Sequence, residues 1–267
     1  MTTLRRSKGQ AGALFDARCR AGRRDRPYPE THGGWTIAIV RRGAFDYRAG
    51  ATNQKHSLRS GWLLLGAPGA DFECSHDHDG GDDCFALALG EGLIEDVASA
   101  TPGCKGPIFP RPIVAPVTRV AGLLECLVAG AGDFDETAYA IAAEVLGHVH
   151  AASPSPVPLH ATHRARIDAA IACIESSCRG PLALADLAAK VDLSPFHFLR
   201  VFRRVTGTTP HQYLVGARLR LAAQMLAHTD RPITAVAYDA GFEDLSNFIR
   251  SFRRAFGCSP RVFRKRA

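Results

Sequence analysis

Residues 182–207 read LALADLAAKVDLSPFHFLRVFRRVTG, and their punctuation divides them into a short apolar helix, a tight turn and a second helix. Leu182, Leu184, Leu187 and Ala188 mark the first helix. Ser194 and Pro195 open the second: the hydroxyl can accept from a first-turn N–H, and proline there forgoes only an N–H that has no helical partner. Gly207 closes it. Phe198, Val201 and Phe202 fall on one face of that second helix, which marks its inner side. Phe196, His197 and Arg200 lie on the outer side near its start, with Arg203 and Arg204 a turn further on. This is the layout of a helix-turn-helix.

A looser copy follows fifty residues later, over Thr234 to Gly257. Setting Ser194 over Asp244 aligns Phe198 with Phe248, Arg200 with Arg250 and Phe202 with Phe252. Arg203 and Arg204 then fall on Arg253 and Arg254, Gly207 on Gly257, Pro210 on Pro260 and Tyr213 on Phe263. So many coincidences at one offset mark an internal duplication. Between the copies, Thr209 to about His228 reads as a helix of roughly 30 Å. Ahead of the first copy, Ile167, Ile171 and Ile174 share a helical face that ends at Arg179-Gly180-Pro181. The expected architecture of this half is all-α, with two helix-turn-helix units.

Charge points to the partner. Residues 160–267 hold 17 Arg and Lys against 8 Asp and Glu, a balance of +9, whereas residues 27–159 carry 8 against 16, or −8. A basic half joined to an acidic one suits a polyanion-binding domain attached to a domain with another task. Residues near the start of a recognition helix reach base edges in the major groove. Those are Ser194, Phe196, His197 and Arg200 in the first unit and Leu245, Ser246, Asn247 and Arg250 in the second. Arginine pairs with guanine and asparagine with adenine, while Arg203, Arg204, Arg253 and Arg254 are placed for phosphate. The expected partner is double-stranded DNA.

With L-A-D-L-A at 184–188, S-P-F-H-F-L-R-V-F-R at 194–203, G-T-T-P-H-Q-Y-L at 207–214, R-L-R-L-A at 218–222, A-G-F-E-D-L-S-N-F-I-R-S-F-R-R at 240–254 and G-C-S-P-R-V-F-R at 257–264, residues 167–264 resemble the DNA-binding domain of AraC/XylS-type transcriptional regulators. Asp192 departs from the pattern, standing in the first turn where the family usually has glycine; aspartate tolerates the left-handed conformation better than most residues. The resemblance implies a sequence-specific transcription regulator rather than an enzyme. Its acidic half would then be a sensing or dimerisation domain, often a cupin-like β-barrel followed by helices. The partners of such a regulator are a small-molecule effector, RNA polymerase and a second copy in a homodimer.

The N-terminal half fits that expectation on its own pattern. Residues 1–30, rich in Arg and Gly, read as a basic flexible arm with room for one short strand near Leu14 and Phe15. From Trp35 come short β-like runs, WTIAIVR, AFDYR, KHSLRSGWLLLGAP, FECSH and CFALALG, separated by turns such as Arg42-Gly43, as in a small barrel or sandwich. Two helical stretches follow, at about Pro116 to Gly130 and Asp135 to Ala151. The first carries an apolar stripe from Val117 to Val128 that either covers the barrel or makes a dimer seam. The expected fold is therefore α+β: a cupin-like domain over 31–151, a proline-rich linker at 152–159 (ASPSPVPL) and the helical domain over 160–267.

One cluster stands apart, Cys74-Ser-His76-Asp-His78-Asp-Gly-Gly-Asp-Asp-Cys84. Cys74, His76, His78 and Cys84 have the donor types that hold Zn²⁺, but not the spacing of a zinc knuckle or of enzymatic cupins. The readings are a polar loop without a cofactor, a zinc site, and a redox switch between Cys74 and Cys84. A metal- or thiol-responsive regulator and a cupin metal enzyme fused to a DNA-binding domain are the alternative functions. The acidic surroundings disfavour low-pKa thiolates. No run of about 18 apolar residues is present, so no membrane span is expected, and the N-terminus lacks the apolar core of a secretory signal. These features, with eight cysteines in a long chain, point to reduced thiols and the cytoplasm.

Overall fold

The computed structural model of the chain describes residues 2–50, 55–105, 108–130, 132–151 and 161–266. The chain divides into two compact units, Met1–Ala152 and Ser153–Ala267; the proline-rich stretch at 152–159 lies outside the described residues. None of the described helices is long and apolar enough to cross a membrane.

The N-terminal unit contains β1 (Thr2–Lys8), β2 (Gly12–Cys19), β3 (Tyr28–Thr31), β4 (Trp35–Ala49), β5 (Lys55–Arg59), β6 (Leu63–Gly66), β7 (Asp71–Ser75) and β8 (Asp82–Leu89). Helix α1 (Glu91–Ala100), the short β9 (Ile113–Val114), α2 (Thr118–Val128) and α3 (Phe134–His150) complete it. The main layer runs β1-β2-β8-β4-β6-β9, and β3, β7 and β5 form a second layer on the far half of β4. Strand β4 serves both layers: its residues from Trp35 to Gly43 pair with β8, and those from Ala44 onward pair with β5 and β7. The strands do not close. Among the described residues β1 and β9 remain the two ends of the main layer, so of the barrel and the sandwich that the strand pattern left open, the strands form an open sheet in two layers and not a barrel.

The structure departs from the sequence pattern at the N-terminus, inside β4 and after β8. Residues 1–30, expected as a flexible arm, contain β1, β2 and β3. Leu14 is fully buried, Ala11 and Cys19 nearly so, and the Asp135 carboxylate accepts the Ala11 N–H at 2.8 Å and the Gln10 N–H at 3.2 Å, fixing the β1–β2 connection to α3. The turn expected at Arg42-Gly43 is a bulge inside β4, where the pairing with β8 shifts between Val40 and Arg42. Gly43 has φ +76°, and a side chain there would collide with the Gly81 carbonyl. Helix α1 was not expected; it buries Leu93, Ile94 and Val97.

Strand alternation gives the main layer two different faces. Leu14, Ile37, Ile39, Leu63, Leu65, Phe85 and Leu87 point to one side and pack with α1, α2 and α3 into a single core. The stripe on α2 is spent there, since Val120, Leu124 and Leu127 are buried in that core. On the opposite side Ala17, Ala38 and Ala86 leave room, and the second layer lies across them.

The C-terminal unit is helical: α4 (Ala161–Ser177), α5 (Leu184–Lys190), α6 (Pro195–Thr206), α7 (Pro210–His228), α8 (Ile233–Asp239), α9 (Leu245–Phe256) and α10 (Pro260–Arg266). Helix α7 touches α4, α6, α8, α9 and α10. It opens with a full capping box, the Thr209 hydroxyl accepting from Gln212 N and the Gln212 side chain accepting from Thr209 N, which satisfies two of the free N–H groups of the first turn. Two arginines tie α7 to the segment ahead of the first helix pair. Arg218 donates to the carbonyls of Cys178 and Gly180, each at 2.8 Å, and Arg220 meets Glu175 at 2.6 Å. Against the same spot sits Gly241, the turn between α8 and α9, at φ +93°. An added Cβ there would stand 2.7 Å from the Cys178 carbonyl and 2.8 Å from the Arg218 Nε.

Two outcomes follow for urea unfolding of the full chain. Gly241→Ala destabilises the C-terminal unit by about 1–3 kcal/mol, because left-handed strain and a backbone collision coincide. Arg220→Ala costs about 1.5–3 kcal/mol, the range for a charged hydrogen bond lost from a partly buried site.

Candidate functional site

The two helix pairs repeat one construction. Helices α6 and α9 each have 12 residues and each ends on a left-handed glycine, Gly207 at φ 74° and Gly257 at φ 71°. Inside, Phe198 and Phe202 meet edge to face at 5.4 Å, as Phe248 and Phe252 do at 5.5 Å. The next helix supplies the third ring in each case: Tyr213 against Phe202 at 5.7 Å and Phe263 against Phe252 at 5.5 Å. Edge-to-face rings of this kind add to simple burial. Phe198, Phe202, Phe248 and Phe252 are fully buried, so the inner faces of both helices are spent on packing.

The outer faces are left to solvent. Phe196, Arg200, Arg203 and Arg204 are exposed on α6, as Ser246, Asn247, Arg250, Arg253 and Arg254 are on α9. Phe196 is 78% exposed, an unusual position for so large an apolar ring. His197 is half-buried and stands edge-on to His163 of α4 at 5.3 Å. Leu245 is also half-buried. The Asn247 Oδ1 accepts from the Ser251 hydroxyl at 3.4 Å, which fixes the orientation of its amide.

The residues at the helix starts have structural work. The Ser194 hydroxyl accepts from His197 N at 3.3 Å, and Asp244 accepts from Ser246 N at 3.0 Å and Asn247 N at 2.9 Å. Ser194, exposed at the start of α6, is its cap, as its place before Pro195 leads one to expect. Asp192, in the turn between α5 and α6, takes φ 53°, and Arg166 of α4 holds both its carbonyl at 2.9 Å and its carboxylate at 3.1 Å. Arg166 had no signal in the sequence beyond its charge.

The N-terminal unit has a half-open cavity of about 240 Å³, lined by Ala17, Ala38 and Ala86 of the main layer and by Phe72 and Tyr28 of the second. His32 stacks on Phe72 at 4.2 Å and its Nε2 lies 3.4 Å from the Tyr47 hydroxyl. Burial lowers the His32 pKa, favouring a neutral ring, and pushes Tyr47 up to about 12.

The Cys/His cluster is split differently from its spacing. Cys74, His76 and Cys84 line the cavity, but His78 turns away and its Nε2 donates to the Ala44 carbonyl at 2.8 Å. His76 Nε2 meets Asp82 Oδ1 at 2.8 Å, and the Cys84 thiol donates to Asp82 Oδ2 at 3.2 Å. Among the described residues the donors that lie mutually within 4.8 Å are those of Cys19, His76 and Asp82, all buried. Cys19 and Asp82 had been passed over because they lie 63 positions apart; β2 and β8 bring them opposite each other. Burial, then the Asp82 charge, pushes the thiols of Cys74 and Cys84 upward, which disfavours the reactive thiolate.

A family model described as a helix-turn-helix domain matches residues 187–266. The probable transcriptional regulator LumQ of Photobacterium leiognathi is 37% identical over 87 residues, 33% of this chain and 35% of that protein. The RCS-specific HTH-type transcriptional activator RclR of Escherichia coli K12 is 39% identical over 80 residues, 30% of this chain and 28% of that protein. The matched segment thus spans about a third of each curated relative. A solved transcriptional regulator with an AraC-type DNA-binding domain, from Chromobacterium violaceum, is 29% identical over 40% of this chain and 97% of its own, with a TM-score of 0.38.

Ser194→Ala is expected to cost about 1 kcal/mol of stability and Ser194→Asn to restore it, because either oxygen can cap the helix. Binding measured on specific and random DNA separates capping from base reading: loss of the cap weakens both alike. In metal-free protein, Cys84 should react with an alkylating reagent roughly tenfold or more slowly than the half-exposed Cys258, followed by mass spectrometry of the labelled peptides.

Proposed function

We propose, starting from a C-terminal unit that is a helix-turn-helix domain of the AraC type, that this protein is a sequence-specific transcription regulator. Helices α6 and α9 enter successive major grooves of double-stranded DNA, and the N-terminal unit takes a small effector into the cavity between its layers. The observation that carries the reading is the duplication itself: two helices of equal length, each with a side-chain cap at its start and a left-handed glycine at its end, matching phenylalanine pairs inside and exposed arginines at equal positions, tied through one central helix. Such repetition matches a ligand with a repeat of about 34 Å, the pitch of B-DNA.

Roles divide by position. Arg200 and Arg250 stand near the helix starts, where side chains reach base edges, and each suits a guanine. Asn247 suits an adenine through its amide. The exposed Phe196 ring offers apolar contact to a thymine methyl. Arg203, Arg204, Arg253 and Arg254 lie in the last turns and neutralise phosphates, which sets affinity and register more than sequence choice.

In the N-terminal unit, the two layers around an interior cavity are an opened version of the cupin-like plan. A cavity of about 240 Å³ with mainly apolar walls suits an effector near the lower end of small-molecule ligands. The His32 ring, which burial holds toward its neutral form, offers the effector a hydrogen bond, and the carboxyl groups of Glu30 and Asp82 line the same space.

On DNA chosen by the protein from a random pool, Arg200→Ala and Arg250→Ala should each cost about 1–3 kcal/mol and relax base choice in different segments of the site. Arg253→Ala should instead weaken binding across all sequences and lower the salt dependence by about one counterion. Equal losses on selected and random DNA for Arg200→Ala and Arg250→Ala would contradict base reading by these helices.

A further inference from the structure

We infer that Cys19, His76 and Asp82 form a binding site for a thiophilic divalent cation of the zinc type, with its fourth coordination position opening into the cavity of the N-terminal unit. The three donors come from separate parts of the chain: Cys19 ends β2, Asp82 begins β8, and His76 follows β7. Cys19 and Asp82 are direct antiparallel partners, so their side chains leave the sheet on the same face. All three residues are at most 9% exposed, and their donor atoms already lie within 4.8 Å of one another.

The donor chemistry selects the ion. A thiolate, an imidazole and a carboxylate are the ligands of zinc, whereas calcium and magnesium take oxygen alone. Zinc bonds of about 2.0–2.3 Å place tetrahedral donors roughly 3.3–3.7 Å apart, so His76 and Asp82, now 2.8 Å apart, need only part slightly to admit the ion. The surroundings orient the ligands. The Cys84 thiol donates to the second Asp82 oxygen at 3.2 Å and leaves Oδ1 directed at the cluster, an outer contact of the kind that fixes a metal-binding carboxylate. Among the described residues Asp82 finds its partners in His76 and Cys84, not in a lysine or arginine, and a buried carboxyl group of that kind is one that pairs with a cation or takes a metal.

Cys84 and Cys74 line the same cavity but do not belong to the group of mutually close donors. The protein thus supplies three ligands, the number that leaves a position for water or for a donor atom of a bound molecule. His78, with its Nε2 engaged at Ala44, is not a ligand. The site stands apart from the reading of DNA, because it is built wholly within the N-terminal unit and metal binding is measured on the protein alone.

The test uses the full chain, stripped with a chelator under reducing conditions and titrated with Co²⁺ and then Zn²⁺. A single ion per chain should bind with a thiolate-to-cobalt charge-transfer band, and Zn²⁺ should abolish the band by displacement. Cys19→Ser and Asp82→Asn should each weaken Zn²⁺ binding by more than the roughly 10–100-fold typical of an outer contact, while His78→Ala and Cys258→Ser leave it unchanged. X-ray absorption on Zn²⁺-loaded wild-type protein needs no variant and covers the case in which one fails to fold: it should give one sulfur at about 2.3 Å with nitrogen and oxygen neighbours at about 2.0 Å. A shell with no sulfur, a shell with two or more, or a cobalt band that survives Cys19→Ser would overturn the assignment.

Discussion

A guanidinium set between two main-chain carbonyls holds the C-terminal unit together. Arg218 reaches from α7 to the carbonyls of Cys178 and Gly180 at the end of α4, and the turn at Gly241 closes over the same place. The two carbonyls belong to the turn that follows α4, so this arginine fixes the path of the chain as it leaves that helix. It also brings the turn of the second helix pair against the support of the first. Arg220 and Glu175 repeat the tie between α7 and α4. Two helix pairs that share a central helix are thereby one body rather than two beads, which sets the separation of their outer faces.

Within that frame, the same two helices bury one side and leave the other exposed. Fully buried phenylalanines on α6 and α9 leave no apolar demand on the outer face, so that face is free to carry arginine, asparagine and the exposed ring of Phe196. The N-terminal unit divides its labour by the same logic in a sheet. Large residues on one face of the main layer pack under α1, α2 and α3, while alanines on the other face leave a cavity whose polar corner is Cys19, His76 and Asp82.

Much of the C-terminal unit was legible in the sequence because its signals are local. Ser194 with Pro195, Asp244, Gly207 and Gly257 mark helix ends through their own chemistry, and the fifty-residue offset made each unit a check on the other. The left-handed turn expected at Asp192 is present at φ 53°. Arg166, Arg218 and Glu175 were not legible as partners, because their contacts join residues 26 to 45 positions apart. In the N-terminal half the strands from Trp35 onward were visible by their apolar runs, and Leu14 and Phe15 marked a piece of β2, but β1 and the rest of β2 were masked by arginines. Arg18, for example, is balanced by Asp16 on its own strand. The same long-range pairing hid the donor cluster: spacing along the chain favoured His78 and Cys84, whereas the register of β2 on β8 brings in Cys19 and Asp82.

The central claim is that two helices in one chain read two successive major grooves, and helical phasing tests it most directly. Full-length protein would be titrated onto DNA carrying the two half-sites with centres about 10 base pairs apart, and onto DNA with the same half-sites about 15 base pairs apart. The account predicts that the first DNA binds about tenfold or more tightly, since only there do both grooves face α6 and α9 together. Equal affinity at the two spacings would contradict it.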